Sequence, residues 1–220
     1  MTCQKPRCAR SDKTAGKTIV VGILGSVASG KSTVARLMVE RGAALIDADR
    51  IAHEVLERPE VKDKLTETLG EGILTPEGTV DRPAVARMVF GHGVAEELRK
   101  RLDAIVHPPV LAAIQEQVRL ARKRRDALAV LDAPLLMEKG LQKHCDVLVF
   151  VDALDALRQE RVRERRGWDA DELRRRDAAQ MPSSLKRQEA DITIQNSGGE
   201  KELRETVRML VSRIKQDFNK

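Results

Sequence analysis

The run Gly-Ser-Val-Ala-Ser-Gly-Lys-Ser at residues 25–32 is the part of the sequence whose residue types and spacing most clearly predict chemistry. It fits the pattern Gly-x-x-x-x-Gly-Lys-Ser, which is typical of a loop that binds phosphate groups. Glycines let the backbone curl so that successive N–H groups face one anion, and the following helix adds the positive end of its dipole. The residues expected to contact a nucleotide are Gly25, Ser26, Val27, Ala28, Ser29, Gly30, Lys31, Ser32 and Thr33.

The last two residues of this phosphate-binding loop have distinct expected roles. Lys31 should reach the β- and γ-phosphates, and the Ser32 hydroxyl should bind Mg²⁺. The loop lies between an apolar run typical of a buried strand, residues 18–24, and a run with helical spacing, residues 33–39. This context argues against a glycine- and serine-rich loop without a ligand.

Two carboxylates close the second strand-like run, in Ile46-Asp47-Ala48-Asp49. Alternation would aim Asp47 and Asp49 to the same side if the strand continued. An acid at the carboxyl end of a strand beside the phosphate-binding loop can accept the proton of a substrate hydroxyl or orient that hydroxyl. The alternative is that either acid caps a helix beginning near Arg50. We assign the catalytic role to Asp49 and a supporting role to Asp47.

Arg158, Arg161 and Arg165 follow one another at steps of three and four residues, which places their side chains on one face of a helix. Such a stripe, folded over the phosphates, would neutralise the charge of the transferring phosphoryl group and exclude water. The pair Gly167-Trp168 predicts a break between two helices, so residues 155–180 are expected to form a hinged lid. The alternative is a solvated face of ion pairs with the interleaved glutamates. For Arg161 and Arg165 we prefer the functional interpretation.

Two missing signals narrow the class of protein. The sequence has no Asn-Lys-x-Asp motif of the kind that reads guanine, and its third strand-like run ends in Asp132-Ala133-Pro134 instead of the Asp-Glu typical of ATP-hydrolysing motors. Without an acid to polarise water, the hydroxyl of a bound substrate is the expected nucleophile. Asp132 would either order Mg²⁺ through water or cap the turn before Pro134, and the sequence leaves both interpretations open.

Strand-like runs alternate with helical stretches, as in an α/β protein whose parallel sheet is covered on both faces. The runs are residues 18–24, 44–47, 127–132, 146–152 and 191–195. They predict a five-stranded kinase core made of residues 18–57, 126–154 and 181–220. The carboxyl ends of the strands are where such sheets bind ligands.

The interval after the second run is too long for one crossover helix. We expect residues 58–125 to form a helical insertion that binds the acceptor substrate. Within it, Asp81 is expected to cap a helix, and His107-Pro108-Pro109 is expected to separate helices at 96–106 and 110–125.

The composition excludes several classes of protein. No apolar stretch approaches the ~20 residues that a membrane span needs, which predicts a soluble protein without a membrane partner. The three cysteines lack metal-binding spacing, which favours a reducing, cytoplasmic compartment over a zinc site or disulfides. Residues 1–17 are basic and lack the apolar core of a secretory signal, so a mobile tail is expected.

The formal net charge of +6 suits polyanionic partners, which include nucleic acids and nucleotides. The arginine-rich stretches at 119–125 and 158–176 raise the hypothesis of nucleic-acid binding. Aromatic residues make up only 2% of the chain, so no platform for stacking bases is visible. We therefore expect no nucleic-acid partner, and a monomer or a weak homo-oligomer.

An ordered series of motifs resembles the dephospho-coenzyme A kinase family over nearly all of residues 19–214. The motifs are GSVASGKST, IDADRIAHEV, EGTVDRPAVARMVF, IVHPPV, LDAPLLMEKGL, DVLVFVD, RRRDAAQ and ADITIQNSGG. The resemblance implies a P-loop kinase fold similar to nucleoside monophosphate kinases, with a helical acceptor-binding domain and a lid. It also implies transfer of the ATP γ-phosphoryl group, with Mg²⁺, to the ribose 3′-hydroxyl of dephospho-coenzyme A, the last step of coenzyme A synthesis.

The resemblance also implies roles for single residues. The family's base falls on Asp49, its lid arginine on Arg165, and its acceptor contacts on His107 and Arg82. Asn196 begins a loop that either holds adenine or is an ordinary turn. Gln180 and Lys186 match the segment after the lid, by resemblance alone.

The phosphate-binding loop departs from the family pattern at two positions. Ser26 and Ala28 stand where the family usually has glycine, and a positive φ at Ala28 would cost about 1 kcal/mol. That strain would weaken ATP binding without abolishing it. The alternative function is that of a related P-loop kinase acting on another small hydroxyl acceptor, such as a nucleoside or nucleotide.

Overall fold

A parallel β-sheet is the centre of the computed structural model, which describes residues 2–3, 18–89 and 95–218. All five predicted strand-like runs are strands, each beginning within one residue of its expected start. They are β2 (Ile19–Leu24), β3 (Ala43–Asp47), β4 (Leu128–Asp132), β5 (Val147–Asp152) and β6 (Ile192–Gln195). The consecutive buried residues of β2, β4, β5 and β6 are typical of strands covered on both faces, whereas Leu45 of the edge strand β3 is exposed.

The strand order places the phosphate-binding loop at the middle of the sheet. Within the described residues the order is β1-β6-β5-β2-β4-β3, where β1 is Thr2–Cys3. β2 pairs in parallel with β4 on one side and with β5 on the other. β1 pairs antiparallel with β6, which corrects the expectation of a wholly mobile tail. Residues 4–17 of that tail lie outside the described ranges.

Helices fill the intervals between the strands. Among the described residues they are α1 (Lys31–Val39), α2 (Ala48–Leu56), α3 (Pro59–Leu69), α4 (Arg82–Val89), α5 (Ala95–Arg124), α6 (Asp155–Arg166), α7 (Ala170–Ala178), α8 (Ser183–Glu189) and α9 (Glu200–Phe218). Short 3₁₀ turns lie at Glu71–Ile73 and Leu141–His144. In none of the described helices is there a segment both long and apolar enough to cross a bilayer.

One face of β2 packs with α1 and α9. Val21 and Ile23 are fully buried in a cluster with residues of α1, such as Leu37, and of α9, such as Leu210. On the other face Gly22 leaves no room for a side chain, because an added Cβ would lie 2.6 Å from Cys145 Sγ. The strand that leads into the loop is thus held from both sides.

The chain divides into two compact units. The first unit is Met1–Asp47 with Gln117–Lys220, and the second is Ala48–Glu116. The described part of the second unit is mainly helical, and its bounds differ from the residues 58–125 that we expected of the insertion. Asp81 caps α4 as expected, since its Oδ1 accepts a hydrogen bond from the Ala84 N–H at 3.1 Å.

The predicted break at His107-Pro108-Pro109 is wrong. α5 runs without interruption from Ala95 to Arg124 and contains both prolines. An interior proline removes one backbone hydrogen bond and costs about 3 kcal/mol, but its fixed φ is compatible with a helix.

The predicted break at Gly167-Trp168 is confirmed. α6 ends at Gly167, whose φ of 65° lies in the left-handed region. α7 begins after Asp169, whose carboxylate accepts a hydrogen bond from the Glu172 N–H at 2.7 Å. We refer to Asp155–Ala178 as the α6–α7 pair.

Candidate active site

The phosphate-binding loop joins β2 to α1, and two of its glycines are required by close contacts. A Cβ at Gly25 would lie 2.5 Å from Ser29 Oγ and 2.7 Å from the carbonyl oxygen of Val151. Gly30 has φ 98°, and a Cβ there would collide with the side-chain amide of Asn196. Only glycine fits these positions, so the loop can close tightly around an anion.

Ala28 adopts a positive φ of 59°, as its replacement of a glycine led us to suspect. The strain costs about 1 kcal/mol. Ala28 also packs, together with Trp168, against a small apolar cluster of Val27, Val162 and Leu173. The packing of this side chain offsets part of the strain, since glycine would offer no methyl group to bury.

Side chains from outside the loop bind three successive carbonyl groups on its outer side. Arg158 Nε donates to Val27 O at 2.9 Å, Arg161 Nη1 to Ala28 O at 3.3 Å, and Asn196 Nδ2 to Ser29 O at 2.7 Å. In a planar trans peptide the C=O and the following N–H point in opposite directions. The Ala28 and Gly30 N–H groups therefore face the inner side of the loop, while the Ser29 N–H donates to the Ser26 carbonyl within the loop at 3.3 Å. Such an array of amides is suited to a phosphate group.

Lys31 lies across the mouth of this array. Its Nζ donates to the carbonyl oxygens of Gly25 at 3.0 Å and of Ser26 at 2.9 Å. Burial and, to a smaller extent, the neighbouring Lys186 lower the pKa of Lys31 to about 8, against the opposing effect of Asp132. An ammonium group whose charged form is disfavoured by its surroundings gains from an incoming polyanion.

Ser32 and Asp132 meet at the carboxyl end of the sheet. The Ser32 hydroxyl forms a hydrogen bond with the Asp132 carboxylate, and Asp47 is the register partner of Asp132 on β3. Burial raises the pKa of Asp132, and the nearby Asp47 raises it too, against the opposing effects of Ser32 and Lys31. A hydroxyl and two carboxylates are thus collected beside the loop.

The three lid arginines have different surroundings. Arg158 is 7% exposed and is paired with Asp155 at 2.7 Å and with Asp177. Arg161 Nη2 binds the Asn196 carbonyl at 3.0 Å, in addition to the loop carbonyls. Burial and the neighbouring Arg165 lower the pKa of Arg161. Arg165 itself is exposed. Arg158 is therefore a structural support of the loop, and the roles of Arg161 and Arg165 at the phosphates stay predictions.

Trp168 lies between α6 and α7 and packs against the cluster that includes Val27 of the loop. Two guanidinium groups lie over its ring, with Arg166 Cζ 4.6 Å and Arg176 Cζ 4.1 Å from the ring centroid. Cation–π contacts of this kind contribute about 0.5–1 kcal/mol when exposed.

Asn196 is buried, and its side chain contacts the phosphate-binding loop. It is 5% exposed, and its side chain binds the Ser29 carbonyl while its N–H donates to Asp152 O at 2.7 Å. Its side chain supports the loop from behind. Whether the loop it begins holds adenine stays a prediction.

A second network of polar side chains is centred on the buried Lys186. In the sequence, Lys186 and Gln180 were singled out by resemblance alone. Lys186 is 2% exposed and binds the Glu138 carboxylate and the Gln180 carbonyl oxygen, each at 2.9 Å. Glu138 also accepts from the Met181 N–H at 2.8 Å. Lys186, Glu138 and Lys31 line one small crevice beside Gly25. No periodic pattern distinguishes a buried lysine in a charged helix, so composition could not have found it.

The residues predicted to bind the acceptor lie in the second unit. α2 begins at Ala48, so the alternation argument for Asp47 and Asp49 is wrong, and Asp49 lies in the first turn of the helix. Arg82 Nη1 lies 3.3 Å from Nδ1 of His53, one helical turn after Asp49. Sequence reasoning missed His53, although its i,i+4 spacing from Asp49 was visible. His107 lies half-buried within α5.

Comparison with known proteins places the chain in one family. The model of the dephospho-CoA kinase family matches residues 19–202. Dephospho-CoA kinase from Corynebacterium glutamicum is 36% identical over 201 residues, which cover 90% of this chain and 98% of the relative. The enzyme of the same name from Deinococcus radiodurans is 42% identical over 178 residues, 81% of this chain and 84% of the relative.

A solved structure has a similar fold over nearly the whole of both chains. A crystal structure from Thermus thermophilus aligns with a TM-score of 0.75 and 32% identity, and the alignment covers 90% of this chain and 98% of that one. The family match extends from β2 to the first turn of α9, and so includes the phosphate-binding loop, Asp49, Asp132 and the α6–α7 pair. The chain belongs to the dephospho-CoA kinase family.

Proposed function

We infer that this kinase transfers the γ-phosphoryl group of ATP to the ribose 3′-hydroxyl of dephospho-CoA, giving coenzyme A and ADP. The observation that carries this inference is the phosphate-binding loop, whose outer carbonyls are bound so that its amides face inward beside Lys31. Family membership supports the acceptor. The absence of a second acid after Asp132 supports an alcohol, not water, as the nucleophile.

In the proposed reaction, the loop amides and Lys31 hold the triphosphate and neutralise the charge of the transferring group. Asp49 accepts the proton of the 3′-hydroxyl while the oxygen of that hydroxyl forms a bond to the γ-phosphorus. The bond from that phosphorus to the bridging oxygen of ADP breaks, and ADP leaves with its electron pair. Arg161 and Arg165 add positive charge from the α6–α7 pair, and His107 and Arg82 hold the acceptor.

We also propose a division of labour along the chain. Residues 58–125 bind the acceptor and residues 155–180 form a lid, while the remainder of residues 18–220 is the kinase core. Arg82 and His107 lie within residues 58–125 and within the compact second unit, which supports this division, while Asp49 belongs to that unit but precedes residue 58. We propose that the enzyme acts in the cytoplasm as a monomer or weak homo-oligomer, consistent with its three sparse cysteines.

Mg²⁺ fits the donor set of the first unit. Ser32 and Asp132 would hold the ion, since a hydroxyl and a carboxylate are oxygen donors of the kind that Mg²⁺ prefers. Within the described residues no group of three His, Cys, Asp or Glu side chains could hold a metal, so phosphate oxygens and water would supply the other ligands. When bound, Mg²⁺ would offset the charge of the phosphates and orient them.

Asp132→Asn tests this assignment. We expect the free Mg²⁺ concentration for half-maximal ADP formation to rise about 10- to 100-fold, because one charged donor is lost near the ion. Asp152→Asn is the matched control, since Asp152 ends the strand on the other side of β2 and is paired with Arg187 at 2.5 Å. An equal rise in both variants, or none in Asp132→Asn, would argue against the site.

The proposed activity is tested with purified protein by measuring ADP formation with dephospho-CoA and with a panel of nucleosides and nucleotides. We expect turnover with dephospho-CoA to exceed that with every other acceptor, and the product to carry its new phosphate on the 3′-oxygen, as read by ³¹P NMR. Turnover with a nucleoside but not with dephospho-CoA would favour the related P-loop kinase instead.

A further inference from the structure

Both backbone polar groups of Val27, in the middle of the phosphate-binding loop, are held by one ion pair. Asp177 Oδ1 accepts a hydrogen bond from the Val27 N–H at 3.1 Å. Arg158 Nε donates to the Val27 carbonyl at 2.9 Å. Arg158 and Asp177 are also paired with each other through the second guanidinium nitrogen and the second carboxylate oxygen. The ion pair thus contacts the loop through two separate hydrogen bonds.

The two side chains come from different helices of the α6–α7 pair, more than 120 residues after the loop. Arg158 is 7% exposed and lies on the same helix as Val162, which packs against Val27. Burying a guanidinium group is costly unless its hydrogen bonds are satisfied. Here the ion pair satisfies itself and the loop backbone together, so losing either member leaves a buried polar group without its partner.

The hydrogen bonds fix two consecutive peptide planes. Because Asp177 holds the Val27 N–H, the Ser26 carbonyl must point the opposite way, and it accepts from Lys31 Nζ at 2.9 Å. Because Arg158 holds the Val27 carbonyl, the Ala28 N–H must point away from Arg158. Ala28 has a φ of 59°, so the second plane is held in a conformation that alanine does not favour.

We infer that Arg158 and Asp177 are positioning residues for nucleotide binding. Their ion pair holds the Val27 peptide so that Lys31 and the Ala28 amide are aligned for the phosphates, and it links the shape of the loop to the α6–α7 pair. The inference rests on the proposed role of ATP as phosphoryl donor, but it does not depend on which alcohol is the acceptor. Neither side chain needs to touch the nucleotide.

The test is the dissociation constant of ADP, measured by calorimetry on the full chain without any acceptor. For Asp177→Ala we expect ADP binding to weaken about tenfold, since one hydrogen bond to the loop and one charge partner are lost. The control is Asp155→Ala. Asp155 also pairs with Arg158, at 2.7 Å, but its side chain is 82% exposed and the pair does not include the loop. We expect its ADP dissociation constant to stay within about twofold.

A second variant guards against poor folding of Asp177→Ala. Asp177→Asn keeps an oxygen that can accept from the Val27 N–H but removes the charge that pairs with Arg158. We expect an intermediate loss of ADP affinity, about threefold. Adding Ala28→Gly to Asp177→Ala should recover part of the lost affinity, because glycine reaches a positive φ without strain.

Three outcomes would overturn the inference. One is an ADP dissociation constant in Asp177→Ala within twofold of the parent, with only the melting temperature lowered, since that result describes a purely structural pair. Another is an equal loss in Asp155→Ala and Asp177→Ala. The third is no recovery on adding Ala28→Gly. Failure of dephospho-CoA as an acceptor would appear in the turnover assay alone and would leave the ADP measurements intact.

Discussion

Lys31→Ala is expected to lower the rate of phosphoryl transfer by about 10²- to 10³-fold, the effect of removing one preorganised charged donor from a transition state. Lys31 contributes the ammonium group beside the inward-facing amides. Alanine would leave those amides in place but would not neutralise the charge on the outer phosphate. The measurement is kcat for ADP formation at saturating ATP and acceptor.

A matched control separates this loss from a loss of positive charge in general. Lys100→Ala removes an exposed lysine from α5, where it pairs with Glu96 at 3.1 Å, and should leave kcat unchanged. The melting temperature of Lys31→Ala should fall by several degrees at most, because the two hydrogen bonds lost contribute about 1 kcal/mol each and relief of the buried ammonium group opposes their loss. A folded Lys31→Ala protein with normal turnover would contradict the proposed role of the loop.

Asp49→Asn is expected to lower kcat by about 10²- to 10⁴-fold, the usual contribution of a general base. Asparagine has nearly the shape of aspartate but cannot accept the proton of the 3′-hydroxyl. The dissociation constant of ADP should stay within about twofold, because Asp49 is proposed to face the acceptor and not the nucleotide. The two measurements are single-turnover kinetics and calorimetry.

Glu54→Gln is the control for Asp49→Asn. Glu54 is another exposed carboxylate of α2, 3.7 Å from Arg50, and its loss should change neither kcat nor ADP binding. If Asp49→Asn weakened ADP binding as much as it lowered kcat, Asp49 would belong to the nucleotide site. If turnover were unchanged, the base would have to be another group.

The sheet could be predicted from sequence because its strands are continuous apolar runs bounded by charged or small residues. The break at Gly167 was equally visible, since a glycine there can take the positive φ that ends α6. α5 could not be predicted, because proline marks a helix end in most sequences although its fixed φ is compatible with a helix. Thr2–Cys3 carries no signal of its own, because the pairing with β6 depends on a distant strand.

For the site, the sequence predicted the motifs formed by neighbouring residues but not the contacts between residues far apart in the chain. The loop and its strained Ala28 follow from local spacing. Helical spacing grouped Arg158 with Arg161 and Arg165, but the position of Asp177 decided that Arg158 supports the loop instead. That contact joins residues on two helices and a loop, and no local pattern in the sequence predicts it. The same holds for Lys186 and Glu138.

Trp168 gives the molecule a built-in optical probe. The chain has one tryptophan and no tyrosine. Fluorescence excited at wavelengths that only tryptophan absorbs therefore comes from this ring alone. The ring packs against the cluster that includes Val27, and two guanidinium groups lie over it. Any separation of the α6–α7 pair from the loop would expose the indole to water and shift its fluorescence to the red, without a label and on the timescale of mixing.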